Sequence, residues 1–333
     1  MIILSVETSC DETSVAISID GKQILSNIVL SQIDIHTLYG GVVPEIASRN
    51  HTKFVLEVFI RAINEAKIKI SDINLIAVTN GPGLMGSLLV GVSAALAFGL
   101  ANNIKVIGVN HLLGHIFSSN IDNDIVFPAV SLLVSGGHTD LIYLEDYYTY
   151  KVLGVTLDDA VGETYDKVAR ILGLGYPGGP IIDKEAKKGV SNIKFPVPKV
   201  DLPYHFSFSG LKSAVLNKYN SDIKTNEKIN ISDYASSFQD SVLKQLLSNT
   251  KKAVNEYKVN TLILAGGVSA NSALRELFKN EFSNINLLIP KFAYCTDNAA
   301  MIGRAGYLMY LKNKKTNDEY ILKTYSTARF SDL

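Results

Sequence analysis

The same order of strands, turns and a helix occurs twice along the chain, once in each half. The segment IILSVETSCDETSVAISID (2–20) has two apolar runs around a short polar turn, and AVSLLVSGGHTDLIYLED (129–146) repeats that plan with a glycine pair at the turn. This pattern predicts a β-hairpin. Each hairpin is followed by an apolar run, a glycine turn and a helical run, at 75–96 and at 261–278. That succession is the βα unit of a mostly parallel sheet.

Two halves on one plan predict an α/β protein of two related lobes, with a ligand cleft between them. The 333 residues are enough for two lobes with sizeable cores. We expect an N-terminal lobe over 1–115, with part of 298–325 packing back onto it, and a C-terminal lobe over 116–297 with an irregular insertion around 147–230. FPVPKVDLPYHF (195–206) predicts an extended loop, and LKNKKTNDEY (311–320) is typical of a polar loop.

Charge and cysteine content limit the classes of protein. Lys+Arg and Asp+Glu are both 32, so a nucleic-acid partner would need a local basic patch or a helper subunit. Cys10 and Cys295 give no disulfide framework, and MIILSVETS has no signal-peptide features. The apolar run at 84–101 lacks Lys, Arg or aromatic anchors, which favours a buried helix against a sheet. We therefore expect a cytoplasmic protein that does not enter a membrane.

Three glycine turns could bind a phosphate. They are GPGLMGS (81–87), SGGHT (135–139) and GGVSANS (266–272). Glycine lets the backbone approach an anion closely, and the start of a helix presents unpaired N–H groups to it. Any one such turn is common, but three on a duplicated plan favour a nucleotide or phosphoryl ligand. Neither a P-loop nor a strand-anchored GxGxxG motif is present.

Carboxylates stand beside two of the predicted turns. ETSCDET (7–13) places Glu7, Asp11 and Glu12 around the first hairpin turn, where they are either solvated or facing a ligand as proton acceptor or ion anchor. In the segment 157–186 we predict a helix carrying Asp166, a constrained GYPGGP loop, and a second helix beginning at Asp183. These two acids could accept the hydroxyls of a ribose, although Asp183 could equally be a helix cap.

The stretch VNHLLGHIFS (109–118) carries two histidines four residues apart. On a helix this spacing puts His111 and His115 on one face, as metal sites require. The glutamate that zinc proteases carry beside the first histidine is replaced by Leu112, so the equipment for peptide hydrolysis is missing. Asp297, at a turn-to-helix junction, offers a third ligand. Buried or capping histidines remain an open alternative on local evidence.

Taken together, these segments resemble one known family. The resemblance rests on motifs that run from about residue 2 to 310: ETSCDET, GGVVPEIASRNH (40–51), GPGLMGSLLVG, NHLLGH, LVSGGHT, DDAVGETYDKVAR, YPGGP, FSFSGLKS, GGVSANS and TDNAAMIG. The chain resembles the TsaD family of tRNA N6-adenosine threonylcarbamoyltransferases, formerly called glycoproteases or O-sialoglycoprotein endopeptidases. FSFSGLKS has Ser213 where the family often has threonine, a minor departure.

The resemblance implies an actin/hexokinase/Hsp70-type (ASKHA) fold and an acyl transfer. The threonylcarbamoyl group of threonylcarbamoyl-AMP would pass to N6 of adenosine 37, just 3′ of the anticodon, in tRNAs reading codons that start with adenine. The products would be N6-threonylcarbamoyladenosine and AMP. The implied cofactor is one divalent metal ion per subunit, Fe²⁺ favoured and Zn²⁺ also suited to the ligands.

The resemblance also assigns residues by matching motifs. His111, His115 and Asp297 would bind the metal. Asp11 and Glu12 would serve in transfer, and we hypothesise that Asp11 takes the proton released by the attacking amine. Substrate contacts would come from the glycine loops and the segment 157–186, namely from Val134, Ser135, Gly136, Gly137, His138, Asp166, Gly179, Asp183 and Asn271.

The implied partners are tRNA, an inactive paralogue of the TsaB type and a small ATPase of the TsaE type. A group of lysines in the middle of the chain is a candidate tRNA contact, or else a solvated surface: Lys184, Lys187, Lys188, Lys194, Lys199 and Lys212. We expect the TsaB-type protein to use an apolar helical surface of the first lobe.

Three other functions fit part of the pattern. A sugar or acetate-type kinase would share the fold and the glycine turns but would have no use for the two histidines and Asp297. A zinc protease would need the missing glutamate. A non-enzymatic scaffold of the inactive-paralogue class should lack the histidine pair that this chain retains.

Overall fold

The computed structural model describes residues 1–198, 200–312 and 322–327. The chain divides into two compact units. Unit 1 comprises Met1–Asp124 together with Pro290–Leu333, and unit 2 comprises Ile125–Ile289. The sequence analysis placed its lobe boundaries after residues 115 and 297, so its domain division differs from the structural units at both ends and stays a prediction.

Each unit contains one five-stranded mixed sheet. In unit 1 the strands are β1 (Ile2–Glu7), β2 (Glu12–Ile19), β3 (Gln23–Ser31), β4 (Leu75–Gly81) and β5 (Val106–Asn110). In unit 2 they are β6 (Ala129–Val134), β7 (Thr139–Leu144), β8 (Tyr150–Val155), β9 (Thr261–Ala265) and β10 (Asn286–Leu288). The spatial orders are β3-β2-β1-β4-β5 and β10-β9-β6-β7-β8.

The two sheets have the same connectivity. In each, three antiparallel strands follow one another along the chain, and the first of them also pairs in parallel with the fourth strand of the unit. The fourth strand pairs in parallel with the fifth. The duplication predicted from the two hairpins and the two βα units is confirmed, and each hairpin gains a third strand, β3 or β8, that the sequence analysis did not predict.

Helices surround these sheets. They are α1 (Ile33–Thr37), α2 (Pro44–Ala66), α3 (Met85–Asn102), α4 (His111–Ser118), α5 (Val161–Ile171), α6 (Gly178–Ala186), α7 (Ser209–Lys224), α8 (Ile231–Tyr257), α9 (Ser272–Glu281) and α10 (Ala299–Lys312). In unit 1, α10 packs against α4 and against strands β1 and β2, although more than 170 residues separate α4 from α10 in sequence. Unit 1 is therefore closed by the last described helix of the chain.

Helix α3 coincides with the apolar run noticed in the sequence. It is long and apolar enough to cross a membrane by length and composition, and 33% of it is buried. Its buried residues include Leu88, Val92 and Ala95, and the helix packs against β4 and α2. A Cβ on Gly91 would lie 2.2 Å from the Thr8 hydroxyl oxygen, so this position requires glycine for the close approach of α3 to the end of β1.

The cores of the two units differ in composition. The core of unit 1 is aliphatic, with Leu4, Val6, Ile76 and Val78 fully buried. Unit 2 contains a larger group of buried aromatic side chains: Tyr165, Phe206, Phe208, Tyr234, Phe238 and Phe278. The loop 195–206 crosses this side of unit 2 without regular helix or strand in its described residues, as its prolines predict.

Helix α6 begins earlier than predicted. Its first residue is Gly178, so GGP forms the first turn and Asp183 lies inside the helix. The prediction of a helix starting at Asp183 was therefore wrong. The reason is that the Asp166 carboxylate accepts a hydrogen bond from the Gly178 N–H, 2.7 Å away, and thereby caps the helix from outside. Most of the polar loop predicted at 311–320 lies outside the described residues, and residues 311–312 end α10.

Candidate functional site

In unit 1, His111, His115 and Asp297 come together as one group. Asn110 caps α4 by accepting from the N–H groups of Leu112 and Leu113, which fixes the start of the helix. His115 Nε2 lies 3.1 Å and His111 Nε2 3.6 Å from Asp297 Oδ1. The imidazole rings are edge to face, with centroids 4.6 Å apart. The predicted metal ligands therefore share one site.

These residues fit a first-row transition metal. One ligand atom from each residue lies within 4.8 Å of the others. Because metal–nitrogen and metal–oxygen bonds are about 2.1 Å, two ligands can be up to about 4.2 Å apart, so the widest pair needs to close by roughly half an ångström. Among the described residues, the buried His115 Nδ1 has no hydrogen-bond partner. Two imidazoles with one carboxylate form a donor set typical of iron and zinc.

A second carboxylate orients the first ligand. The Glu7 Oε2 atom lies 3.0 Å from His111 Nδ1 and accepts a hydrogen bond of 2.6 Å from the Thr79 hydroxyl. Ser9 Oγ is also 3.2 Å from His111 Nδ1. A carboxylate on one ring nitrogen leaves the other nitrogen free to bind metal and makes it more basic. The sequence analysis noted Glu7 but gave it no such role.

The protonation of this pair follows from its charges. Burial alone would lower the pKa of His111, but the negative charges of Glu7 and Asp297 outweigh burial and raise that pKa to about 9. For Glu7, burial opposes ionisation, and the hydrogen bonds and charge of His111 still bring its pKa below the usual value. Without metal, the pair is an imidazolium and a carboxylate.

Residues Cys10–Thr13, hereafter the acid turn, comprise the end of the β1–β2 connection and the first two residues of β2. They lie beside this group and carry Asp11 and Glu12. Burial, the negative charges of Asp297 and Asp11, and a hydrogen bond to Asp11 raise the pKa of Glu12 well above its usual value. Burial and the Asp11 charge likewise raise the pKa of the Cys10 thiol. Burial and the neighbouring carboxylates thus favour the protonated form of Glu12, which lies close enough to Asp297 to feel its charge.

In unit 2, the loop after β6 is open on one side. Val134 is buried, the Ser135 hydroxyl accepts from the His138 N–H at 3.1 Å, and the loop closes through Ser135 N–H to the His138 carbonyl. A Cβ added to Gly136 or Gly137 would meet nothing within 4 Å. The glycine backbone is thus accessible to an approaching group.

Asp183 and Asn271 are held in one polar network. Asp183 accepts from the backbone N–H and hydroxyl of Ser272, at 3.1 Å and 2.8 Å. Asn271 caps α9 through its Oδ1 and donates from Nδ2 to Gln239 Oε1 at 2.8 Å. Gln239, buried on α8, also lies 3.5 Å from Asp183. Gln239 was missed in the sequence because it belongs to no glycine motif.

Asp166 and Gly179 lie on opposite sides of the α5–α6 junction. Burial raises the pKa of Asp166, and hydrogen bonds from the Gly178 and Gly179 backbone partly offset that effect. A Cβ on Gly179 would meet nothing within 4 Å, so this face of the junction is open. The substrate roles predicted for these residues stay predictions.

The candidate tRNA lysines of unit 2 are partly neutralised. Lys188 pairs with Glu185 at 2.6 Å, Lys212 with Asp159 at 2.8 Å, and Lys187 approaches Asp183 at 3.8 Å. Lys184 and Lys194 are exposed. Lys199 lies outside the described residues.

Structural comparison places the fold in the actin-like group. The chain superposes with component A of (R)-2-hydroxyglutaryl-CoA dehydratase from Acidaminococcus fermentans at a TM-score of 0.56 and 14% identity, covering 95% of this chain and 100% of that chain. HypF from T. kodakarensis gives a TM-score of 0.61 at 13% identity, over 93% of this chain and 48% of that chain. The predicted ASKHA-type α/β fold is confirmed.

Sequence comparison gives the family. The family model described as TsaD, tRNA N6-adenosine threonylcarbamoyltransferase, matches residues 23–304. Proteins of that name from Bacillus subtilis and Dictyoglomus turgidum are 51% and 50% identical, over 94% and 95% of this chain and 91% and 96% of theirs. The chain belongs to the TsaD family of tRNA N6-adenosine threonylcarbamoyltransferases.

Proposed function

We propose that this protein transfers the threonylcarbamoyl group of threonylcarbamoyl-AMP to N6 of adenosine 37 in tRNA, releasing AMP. The observation that carries the proposal is the His111–His115–Asp297 group within a chain about half identical to transferases of that name over nearly its whole length. A kinase of the same fold would not need this group. A zinc protease would need a glutamate beside His111, where the chain has Leu112.

His111, His115 and Asp297 would hold one divalent ion, Fe²⁺ or Zn²⁺. When bound, the ion would supply Lewis acidity toward a carbonyl oxygen. Glu7 would fix the tautomer of His111 so that Nε2 faces the ion.

In unit 2, the chain's own residues would bind the adenylate. The accessible backbone at Gly136 and Gly137 would receive the phosphate, because N–H groups in a glycine loop bind an oxyanion closely. Asp166 and Asp183 would accept the ribose hydroxyls; each already accepts a hydrogen bond from the chain, which fixes its orientation. A carboxylate has about four acceptor positions, so capacity remains for a ligand.

The acid turn would manage the proton. The exocyclic amine of adenine is a weak nucleophile and must lose a proton as the new C–N bond forms and the bond to AMP breaks. Asp11 would accept that proton, and Glu12, whose pKa is raised by burial and by the neighbouring carboxylates, would in its protonated form donate a hydrogen bond to Asp11. Asp11→Asn should lower transfer by about a hundred- to ten-thousandfold, leaving a measurable residual rate, while threonylcarbamoyl-AMP and metal still bind; full transfer by this variant would reject the assignment.

The overall reaction is tested with threonylcarbamoyl-AMP and unmodified tRNA, with the proposed TsaB- and TsaE-type partners supplied. Modified adenosine should form, should be lost after chelation, and should return when Fe²⁺ or Zn²⁺ is restored. Phosphorylation of a sugar or acetate from ATP, or protein cleavage, would select a rival function. His111→Ala should form as little modified adenosine as the wild-type protein does after chelation.

The exposed apolar side chains of α2 and α3 fit a TsaB-type partner. Leu56 and Ile60 on α2 are 67% and 53% exposed, and Leu89 and Leu100 on α3 are 49% and 67% exposed. Helices α2 and α3 pack against each other in unit 1, and we propose that these exposed residues contribute to one surface for the partner. Leu56→Asp with Leu89→Asp should abolish co-elution with a TsaB-type protein while the circular dichroism spectrum is unchanged. We further propose that the protein works in the cytoplasm.

A further inference from the structure

The motif GGVVPEIASRNH ends at a histidine that the proposed mechanism does not use. His51, on α2, is completely buried. Its Nε2 lies 2.9 Å from the carbonyl oxygen of Cys10, and its Nδ1 lies 2.7 Å from the hydroxyl oxygen of Thr13. These two contacts fall on the two ends of the acid turn.

The direction of both hydrogen bonds follows from the chemistry of the partners. A carbonyl oxygen can only accept, so Nε2 carries the hydrogen and donates to Cys10. Burial lowers the pKa of His51, which favours the neutral ring. In the neutral ring that donates from Nε2, Nδ1 carries a lone pair and accepts from the Thr13 hydroxyl. One rigid ring therefore holds both ends of the turn in a single tautomer.

We propose that His51 is a positioning residue for the proposed transfer reaction, fixing the backbone on both sides of Asp11 and Glu12. The inference rests on the function proposed above. The Gln32 N–H donates to the Asp11 carbonyl at 3.1 Å, so the turn is also anchored between its ends. The acid turn links β1 to β2, and in the proposed reaction its acids can act only if its backbone holds them toward the amine. Misplacement by about 1 Å can cost on the order of a hundredfold in rate.

A merely structural role is the alternative. Removing a partner from a buried polar group costs about 1–3 kcal/mol wherever it occurs. Such a loss would lower stability without a specific effect on the chemical step. The distinguishing variants are at Thr13, because Thr13→Val removes only the hydroxyl and nearly keeps the shape, while Thr13→Ser keeps the hydroxyl. Thr250→Val is the matched control, since Thr250 is also fully buried and donates one hydrogen bond, to Leu246 at 2.7 Å.

The kinetic arm measures single-turnover transfer from threonylcarbamoyl-AMP. We expect Thr13→Val to lower the single-turnover rate constant by about ten- to a hundredfold, with the half-saturating concentration of threonylcarbamoyl-AMP and the metal affinity within about twofold. Thr13→Ser should restore most of the rate. In an Asp11→Asn background, Thr13→Val should have no further effect, because His51 acts through Asp11. Independent, multiplicative losses, or equal losses in Thr250→Val, would overturn the proposal.

A second arm does not depend on transferase activity. Alkylation of the Cys10 thiol, followed by mass spectrometry, reports how well the acid turn is held. In Thr13→Val, the Cys10 thiol should be alkylated several times faster than in the wild type, whereas in Thr13→Ser its rate should be unchanged. His51→Gln is a further variant if it folds. If Cys10 is alkylated equally fast in Thr13→Val and the wild type, the His51 contact does not restrain the acid turn. This outcome would reject the proposal even if the protein proved to have another function. A wild type that shows the restraint without transferring the group would instead reject the proposed function.

Discussion

The carboxylate of Glu7 lies 3.0 Å from Nδ1 of His111, at the buried end of β1. The ligand histidine is thus oriented by a residue about a hundred positions away in sequence. Because Glu7 is fully buried and also accepts from Thr79, its position is fixed before any ion binds.

Glu7→Gln should weaken metal binding. The amide cannot carry the negative charge that makes His111 basic, and loss of such an outer carboxylate typically costs about 10- to 100-fold in affinity. Titration of the metal-free protein with Zn²⁺ would measure this. Glu45→Gln, which changes an exposed carboxylate on α2, is the control and should leave the affinity unchanged. Equal affinities for Glu7→Gln and the wild type would contradict the role of Glu7.

Metal binding should displace a proton at neutral pH. With its pKa raised to about 9 by Glu7 and Asp297, His111 is protonated at pH 7 in the metal-free protein, and a protonated imidazole nitrogen cannot bind metal. We expect about one proton released per ion and an apparent affinity that falls about tenfold for each pH unit below 9. Calorimetry in two buffers of different ionisation enthalpy counts the protons. A heat that is the same in both buffers would be inconsistent with this charge state.

Asp140 on β7 should make unit 2 less stable as pH rises. Burial raises the pKa of Asp140 to about 7 from an ordinary value of 3.8. Between about pH 4 and pH 7 the folded state therefore binds more protons than the unfolded state, and the free energy of unfolding falls as pH increases through that window. Asp140→Asn should be more stable than wild type by about 2–4 kcal/mol at pH 8 and equal to it near pH 4. Urea unfolding at both pH values tests this, with exposed Asp201→Asn as control.

Two glycines of unit 2 should respond oppositely to alanine. Gly266 has φ of 86°, and a Cβ there would lie 2.3 Å from the Val134 carbonyl oxygen, so Gly266→Ala should lower the free energy of unfolding by about 1–3 kcal/mol. A Cβ added at Gly137 meets no atom within 4 Å, so Gly137→Ala should keep the free energy of unfolding within about 0.5 kcal/mol of the wild-type value. It should nevertheless raise KM for threonylcarbamoyl-AMP about tenfold or more by obstructing the phosphate. An unchanged KM would remove Gly137 from the proposed phosphate site.

Gln239→Leu should weaken adenylate binding. Loss of the Gln239 amide removes the acceptor of the Asn271 Nδ2 hydrogen bond and a neighbour of Asp183. The side chains of both proposed substrate-binding residues are then held less firmly. We expect KM to rise about fivefold, the equivalent of one buried hydrogen bond. Gln245, another buried glutamine on α8, donates to the Pro198 carbonyl, and Gln245→Leu serves for comparison. The same KM change in both variants would indicate a general effect on α8.

The sequence predicted the parts of this protein that depend on local pattern. Strand periodicity and glycine turns gave both hairpins and both βα units, and the four-residue spacing put His111 and His115 on one helix face. Contacts between distant segments were not predictable in this way. Gln239 is an ordinary polar position within a long amphipathic helix, and the interior position of Asp183 depends on capping by Asp166 from another helix. Strand β3 alternates too weakly between buried and exposed residues to be distinguished from a loop.

The discontinuity of unit 1 affects the order in which the protein can mature during synthesis. His111 and His115 leave the ribosome well before Asp297, and helix α10, which packs beside α4, follows later still. A nascent chain that stops before Asp297 has two imidazoles but no carboxylate with which to complete the ligand set. Unit 2 is continuous and can fold as soon as residue 289 has emerged, whereas unit 1 must wait. A chain that holds the proposed ion would therefore have been synthesised at least as far as Asp297.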